Sequence, residues 1–341
     1  MGVRLRRLLQ FLAIAAVLYA VVAVAGGIVL AELALHPQRR SLLDAARARQ
    51  SLTQEFHVPV DDVSISAQDG ATLRAWFIAP SHPSGSAVIL LHGVADNREG
   101  MIGYAALFLR HGYAVLLPDS RAHGESGGAI ATYGALERYD VQRWAAWLQP
   151  HAPRCEYLFG ESMGAAIAIE SAPGLPRLCA VAAEASFATF DEIANDRIAQ
   201  RTGLGLWFPR TVGALIRDSG LAYARLRYHV WLDDADPAAA LAHSRVPTLL
   251  ICGTADDNIP MRHSLQLYQA GRGHSSIWIV PGAQHTGADS ADPALFEQRV
   301  TGWFAEHAAE ATASYATVAI RPPARLIAEV AAPGPPAPSS S

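Results

Sequence analysis

Apolar and polar positions divide the chain into distinct regimes. From Leu8 to Ala31 there is no charged residue, and Arg4, Arg6 and Arg7 stand just before the run. A helix of that length crosses a bilayer, whereas a buried core helix rarely lacks a polar face over such a stretch. Between Asp61 and Pro80 apolar and polar residues alternate on either side of Asp69-Gly70, which predicts an antiparallel hairpin. Beyond it, short continuous apolar runs alternate with helical patterns. The run at 87–91 precedes a helix over 101–110, that at 114–117 a helix over 135–148, and that at 157–159 a helix over 165–171, with a further run at 180–183. The pattern resumes with a strand over 248–252, a helix over 262–270, a strand over 277–280 and a last helix over 293–307. Such alternation predicts an α/β domain whose sheet is mostly parallel and covered on both faces, with the hairpin as an antiparallel edge.

The same pattern sets the organisation. Residues 1–35 read as a single-pass N-terminal anchor, 36–60 as a helical linker carrying the domain away from the membrane, and 61–310 as the α/β domain. The segment 186–245 is too long for an ordinary crossover and has its own helical pattern, with Trp207, Leu215, Ile216 and Trp231, so it predicts a helical cap over the carboxyl end of the sheet. Residues 311–341, rich in Pro, Ala and Ser, offer too little periodic apolar surface to pack and predict a disordered tail. Ala23-Val24-Ala25 is an A-x-A cleavage pattern, so a secreted domain released from a signal peptide is the alternative to an anchored one. Apolar sequence continues past that site to Leu35, broken only by Glu32, which favours the uncleaved anchor. Arginines lie on both sides of the run, with Arg39, Arg40, Arg47 and Arg49 following it, so charge asymmetry gives only a small preference for the domain outside.

A net charge of −4 with no Lys/Arg-rich run leaves no footprint for nucleic acid. Cys155, Cys179 and Cys252 are scattered, with no C-x-x-C pair and no histidine cluster at zinc spacing. Two of them fall in apolar strand-like runs, which predicts buried, inert thiols.

The chemistry centres on Gly160-Glu161-Ser162-Met163-Gly164, a G-x-S-x-G pattern between a predicted strand and a predicted helix. That context makes Ser162 a candidate nucleophile on a tight bend, with Gly160 and Gly164 needed where a side chain would clash. A serine needs a base and an orienting acid. His285, after the last strand, is the candidate base, and Asp256, after the preceding strand, the candidate acid. Asp257 competes with Asp256; one of the two is a turn residue before Pro260, a role expected of Asp257. Glu184, after the 180–183 strand, is a second alternative for the acid, and Glu161 reads as structural. The oxyanion needs fixed donors, for which the amides of Met163 and Val94 are the candidates, the latter in the turn Leu91-His92-Gly93-Val94. Gly93 fits a backbone that approaches substrate closely, and His92 reads as a structural residue beside that turn.

These motifs, together with Pro118-Asp119-Ser120-Arg121-Ala122-His123-Gly124-Glu125-Ser126 and Gly253 to Pro260, resemble those of the α/β-hydrolase family over roughly 61–307. The 118–126 stretch is similar to the family's D-x-R-G-H-G-x-S, with Ala122 where glycine is usual. The initial hairpin, GESMG and GTAD are similar to the membrane-anchored bud-emergence-type and serine aminopeptidase-like subgroups. What the resemblance implies is a Ser162-Asp256-His285 hydrolase acting through an acyl-enzyme, with no cofactor or metal; the apolar cap and the N-terminal anchor favour a small-molecule ester or thioester of an apolar acyl chain as its substrate. A peptidase with the same chemistry and a non-catalytic binding module on the same fold are the alternatives.

Overall fold

The computed structural model describes residues 2–152 and 154–318. Helix α1 (Val3–Leu35) takes up the whole apolar N-terminal run and is long and apolar enough to cross a membrane, with most of its surface uncovered. Its buried positions, Ala23, Gly27, Ala31 and Leu35, recur every fourth residue and so form one narrow stripe.

Helix α2 (Ala45–Phe56) corrects the expectation of a spacer over 36–60. Leu52, Val58 and Val60 are buried in the core, and Arg49 reaches the Asp62 carboxylate and the Val60 carbonyl. The segment lies along the domain because its short helix carries an apolar face, Ala45, Ala48, Leu52 and Phe56.

The hairpin follows as β1 (Asp61–Ser66) and β2 (Thr72–Ile78), turning at Asp69-Gly70, where Gly70 takes φ 85°. Then come β3 (Ser86–Leu91), α3 (Ile102–Arg110), β4 (Ala114–Pro118), α4 (Glu137–Leu148), β5 (Cys155–Glu161), α5 (Met163–Ser171) and β6 (Leu178–Glu184). After α6 (Phe190–Thr202), α7 (Ala214–Tyr228) and α8 (Pro237–His243), the alternation resumes with β7 (Thr248–Gly253), α9 (Arg262–Ala270), β8 (Ser275–Val280), α10 (Ala288–Ala291) and α11 (Pro293–Val318). The eight strands form one sheet in the order β1-β2-β4-β3-β5-β6-β7-β8. Only β1–β2 and β2–β4 pair antiparallel. Strands β3, β4, β6 and β7 are buried at every residue, which is why their sequences are continuously apolar.

One face of the sheet packs on α3 and α11 through Phe108, Phe296 and Phe304; the other packs on α4, α5, α8 and α9 through Trp144, Ile167, Leu241 and Leu267. The cap is therefore shorter than 186–245. Helix α8 covers the sheet, and α6, α7 and the turn at Leu232–Asp234 form a separate cluster with Leu35 of α1. Helix α11 runs to Val318, past the expected start of the tail at 311; residues 319–341 of that tail lie outside the described residues.

Cys155 and Cys179 do not remain thiols but form a disulfide between the first residue of β5 and the second of β6, with Cα atoms 5.7 Å apart. Sequence spacing carries no sign of this pair, because the register of neighbouring parallel strands creates it. Cys252 is the buried free thiol.

Candidate active site

The connections after β5, β7 and β8, at the carboxyl edge of the sheet, converge on Ser162. Between β5 and α5 this residue takes φ 54° and ψ −117°, a strained conformation for a side chain with a Cβ. Its surroundings hold it there. The Ser162 amide donates to the Glu184 carbonyl at 2.8 Å, and its carbonyl accepts from Ala165 and Ala166 at 3.1 and 3.2 Å. Gly160 and Gly164 are required by contact rather than by backbone angle: a Cβ on Gly160 would run into the Gly164 carbonyl, and one on Gly164 into the carbonyl oxygen of Leu91.

The loop after β8 brings His285 to this serine, with Nε2 2.9 Å from Ser162 Oγ. Its Nδ1 stands 2.9 Å from Asp256 Oδ2, on the loop after β7. With Nδ1–H donating to the carboxylate, Nε2 is the acceptor that faces the hydroxyl. Asp256 is itself pinned, since Oδ1 accepts the amides of Asn258 and Ile259 at 2.9 and 2.8 Å. The turn role expected of Asp257 thus falls to Asp256, which braces its own loop with one oxygen and meets His285 with the other. Asp257 is exposed, and its backbone carbonyl accepts from Gln200. Glu184 is buried but hydrogen-bonds the Ala288 amide at 2.9 Å instead of the histidine.

Val94 and Met163 line the same cavity as Ser162. Met163 opens α5, so its amide is one of those without an intrahelical partner. Gly93 sits close behind, where a Cβ would lie 3.4 Å from Ser162 Cβ. His92 is fully buried, with Nδ1 2.8 Å from the Gly93 carbonyl and Nε2 accepting the Ser120 amide at 3.0 Å. Burial pushes its pKa down to about 3, so it is a neutral brace between the turns after β3 and β4.

Below the serine lie two carboxyls, Glu161 and Glu184. Burial, reinforced by the Glu184 charge, raises Glu161 to about 7, and burial raises Glu184 to about 7. In the 118–126 stretch, the Asp119 carboxylate accepts the amides of Arg98 and Glu125 at 2.8 and 2.7 Å, fixing the turn after β4. Ala122 stands there at φ 59°, the left-handed region that explains the preference for glycine.

The cavity in front of Ser162 is walled mainly by apolar side chains, including Tyr133, Phe187, Phe190, Ile193 and Ile259, with Arg197, Arg201 and Arg217 also in its lining. Sequence reasoning missed one wall entirely: Gly27, Leu30, Ala31 and Ala34 of α1 line it too. The end of α1 is tied to the domain, since its Leu35 carbonyl accepts the Ala131 amide and its Ala34 carbonyl the Tyr133 hydroxyl, both at 2.9 Å. Tyr223 and Tyr228 of α7 donate to the Glu32 carboxylate at 2.6 and 2.7 Å. The signal available was the small-residue spacing Ala23, Gly27, Ala31 against Gly220, Ala224, a pattern that lets helix backbones approach.

The profile of the alpha/beta hydrolase family matches residues 88–299, more than half of the chain, and the chain belongs to that family. It is similar to the protein YqkD of Bacillus subtilis, 27% identical over 80% of this chain and 90% of that one, and to Rv2307c of Mycobacterium tuberculosis, 28% identical over 70% and 75%. Among solved structures, the Pyrococcus furiosus esterase Pf2001 superposes with a TM-score of 0.60 at 22% identity, covering 75% of this chain and 94% of the esterase. The alpha/beta hydrolase GrgF from Penicillium sp. sh18 superposes with a TM-score of 0.56 at 18% identity, covering 74% and 99%.

Proposed function

We propose that the chain is a membrane-anchored serine hydrolase that cleaves an ester or thioester of a substrate with an apolar acyl chain. The observation that carries this reading is the hydrogen-bonded sequence Ser162 Oγ, His285 Nε2, His285 Nδ1, Asp256 Oδ2, with both contacts at 2.9 Å and the serine on a strained bend. In the proposed mechanism Ser162 Oγ attacks the acyl carbon while His285 Nε2 takes its proton. Asp256 holds the imidazole and stabilises its charged form. The amides of Val94 and Met163 bind the oxyanion. As the bond to the leaving group breaks, His285 returns the proton to that group, and water attacks the acyl-enzyme by the same relay to release the acid.

The apolar cavity walls favour an acyl chain over the peptide of the alternative reading. Anchoring is supported by α1, whose Ala23, within the A-x-A pattern, is buried against the cap. A catalytic domain outside the cytoplasm is supported by the Cys155–Cys179 disulfide, a bond of oxidising compartments. Nitrophenyl esters of increasing acyl length, run beside aminoacyl amides with the full chain in detergent, test the reading. It requires ester turnover that rises with acyl length and vanishes in Ser162→Ala; preferred amide cleavage would favour the peptidase.

A further inference from the structure

The cavity is not simply apolar; it has a direction. Two α1 residues that line it, Ala34, whose carbonyl accepts the Tyr133 hydroxyl, and Gly27, packed against Ile216 and Gly220 of α7, are separated by seven residues of helix, or about 10 Å of rise. Helix α6 lines the same length, from Phe190 to Arg201. The cavity thus runs from Ser162 along the anchor helix, toward the end where α6 gives way to α7.

That end carries the connecting segment 203–213, whose large apolar side chains are turned outward: Leu204, Trp207 and Val212 are 46%, 60% and 56% exposed. The segment lies against α1 at Val212, whose carbonyl accepts the Tyr19 hydroxyl, and α7 follows on, with Ser219 Oγ 3.5 Å from the Ala23 carbonyl. A span needs about 20 residues, so one that begins after Arg7 reaches Gly27. Tyr19 and Ala23 then lie inside the apolar slab, and the segment beside them enters it. Gly27, at the far end of the cavity, lies at the slab boundary. An exposed apolar segment with a tryptophan, fixed to a membrane-crossing helix below that boundary, has the bilayer as its natural cover.

Resting on the hydrolase reading, we propose that the α6–α7 segment is inserted into the leaflet on the domain side. The substrate is then an ester lipid resident in that leaflet, whose acyl chain slides laterally between α1 and the cap to reach Ser162. The anchor is thereby part of the substrate path as well as a tether.

The test uses the full chain reconstituted in phosphatidylcholine vesicles, with 4-nitrophenyl palmitate dissolved in the bilayer and 4-nitrophenyl butyrate in the water. Trp207→Glu combined with Val212→Glu is expected to lower palmitate turnover by roughly tenfold or more, since two apolar side chains placed in the leaflet are replaced by charges, and to leave butyrate turnover within about twofold. Brominated phosphatidylcholine is expected to quench wild-type fluorescence more than that of Trp207→Phe. Equal loss on both esters, or no difference in quenching, overturns the proposal, as does a cross-linked dimer that shields Trp207 from the lipid quencher. If neither ester turns over, the hydrolase reading fails instead, and the quenching still decides where the segment lies.

Discussion

Gly27 of the N-terminal helix lies directly against Gly220 of the cap, and a Cβ built on Gly220 would stand 2.9 Å from the Gly27 carbonyl. On Gly27 the same addition would run into the Ile216 carbonyl and Ser219 Oγ. The two glycines let α1 and α7 pack backbone to backbone, so α1 closes one side of the cavity that faces Ser162.

Gly27→Leu is therefore expected to wedge α1 away from α7. Overpacking of this kind costs about 1–3 kcal/mol. The activity signature is more specific than the stability loss: kcat/KM for long-chain esters falls, while that for a butyrate ester, which needs little of the α1 wall, changes much less. An acyl-length series on the two proteins measures the difference.

The two adjacent aspartates separate cleanly. Asp256→Asn keeps an acceptor for the Asn258 and Ile259 amides but removes the charge that orients His285, and turnover is expected to fall by about 10⁴. Asp257→Asn, at an exposed position, is expected to leave turnover within about twofold and stability within about 0.5 kcal/mol. Steady-state kinetics on a soluble ester decides between them.

Ala122→Gly is expected to stabilise the domain. Relief of the left-handed strain at φ 59° exceeds the added flexibility of the unfolded chain by about 0.5–1 kcal/mol. Thermal unfolding of the two proteins checks the sign.

Glu184 links stability to pH. Its folded pKa, raised by burial to about 7, exceeds its ordinary value of 4.5, so the folded state holds the proton more tightly. Its favourable contribution is complete below about pH 4.5 and is lost as pH rises through 7, a difference of at most about 3 kcal/mol. Glu184→Gln, which cannot ionise, is expected to raise the melting temperature relative to wild type more at pH 8 than at pH 5. A gain independent of pH would sink this account.

The sheet was legible in the sequence because strands buried on both faces leave continuous apolar runs, and the hairpin because Asp69-Gly70 separates two alternating segments. Ser162, His285 and Asp256 were readable as candidates because each follows a strand. What the sequence did not disclose arises between distant segments. The Cys155–Cys179 bond depends on the register of β5 with β6, and the packing of α2 depends on a sparse apolar face on a mostly polar stretch. The wall built by Gly27, Leu30 and Ala34 was hidden because uniform apolarity marks a helix for the membrane without marking which face meets the protein. Glu184 and Asp256 were rivals until their hydrogen bonds assigned one to Ala288 and the other to His285.

The central claim is that Ser162 is an activated nucleophile. Incubation of the full chain with a fluorophosphonate, followed by mass spectrometry of the digested protein, tests it directly. The account predicts one phosphonylated peptide, modified at Ser162, with labelling lost in Ser162→Ala and strongly slowed in His285→Ala. A folded protein that takes up no label, or takes it at another residue, would contradict it.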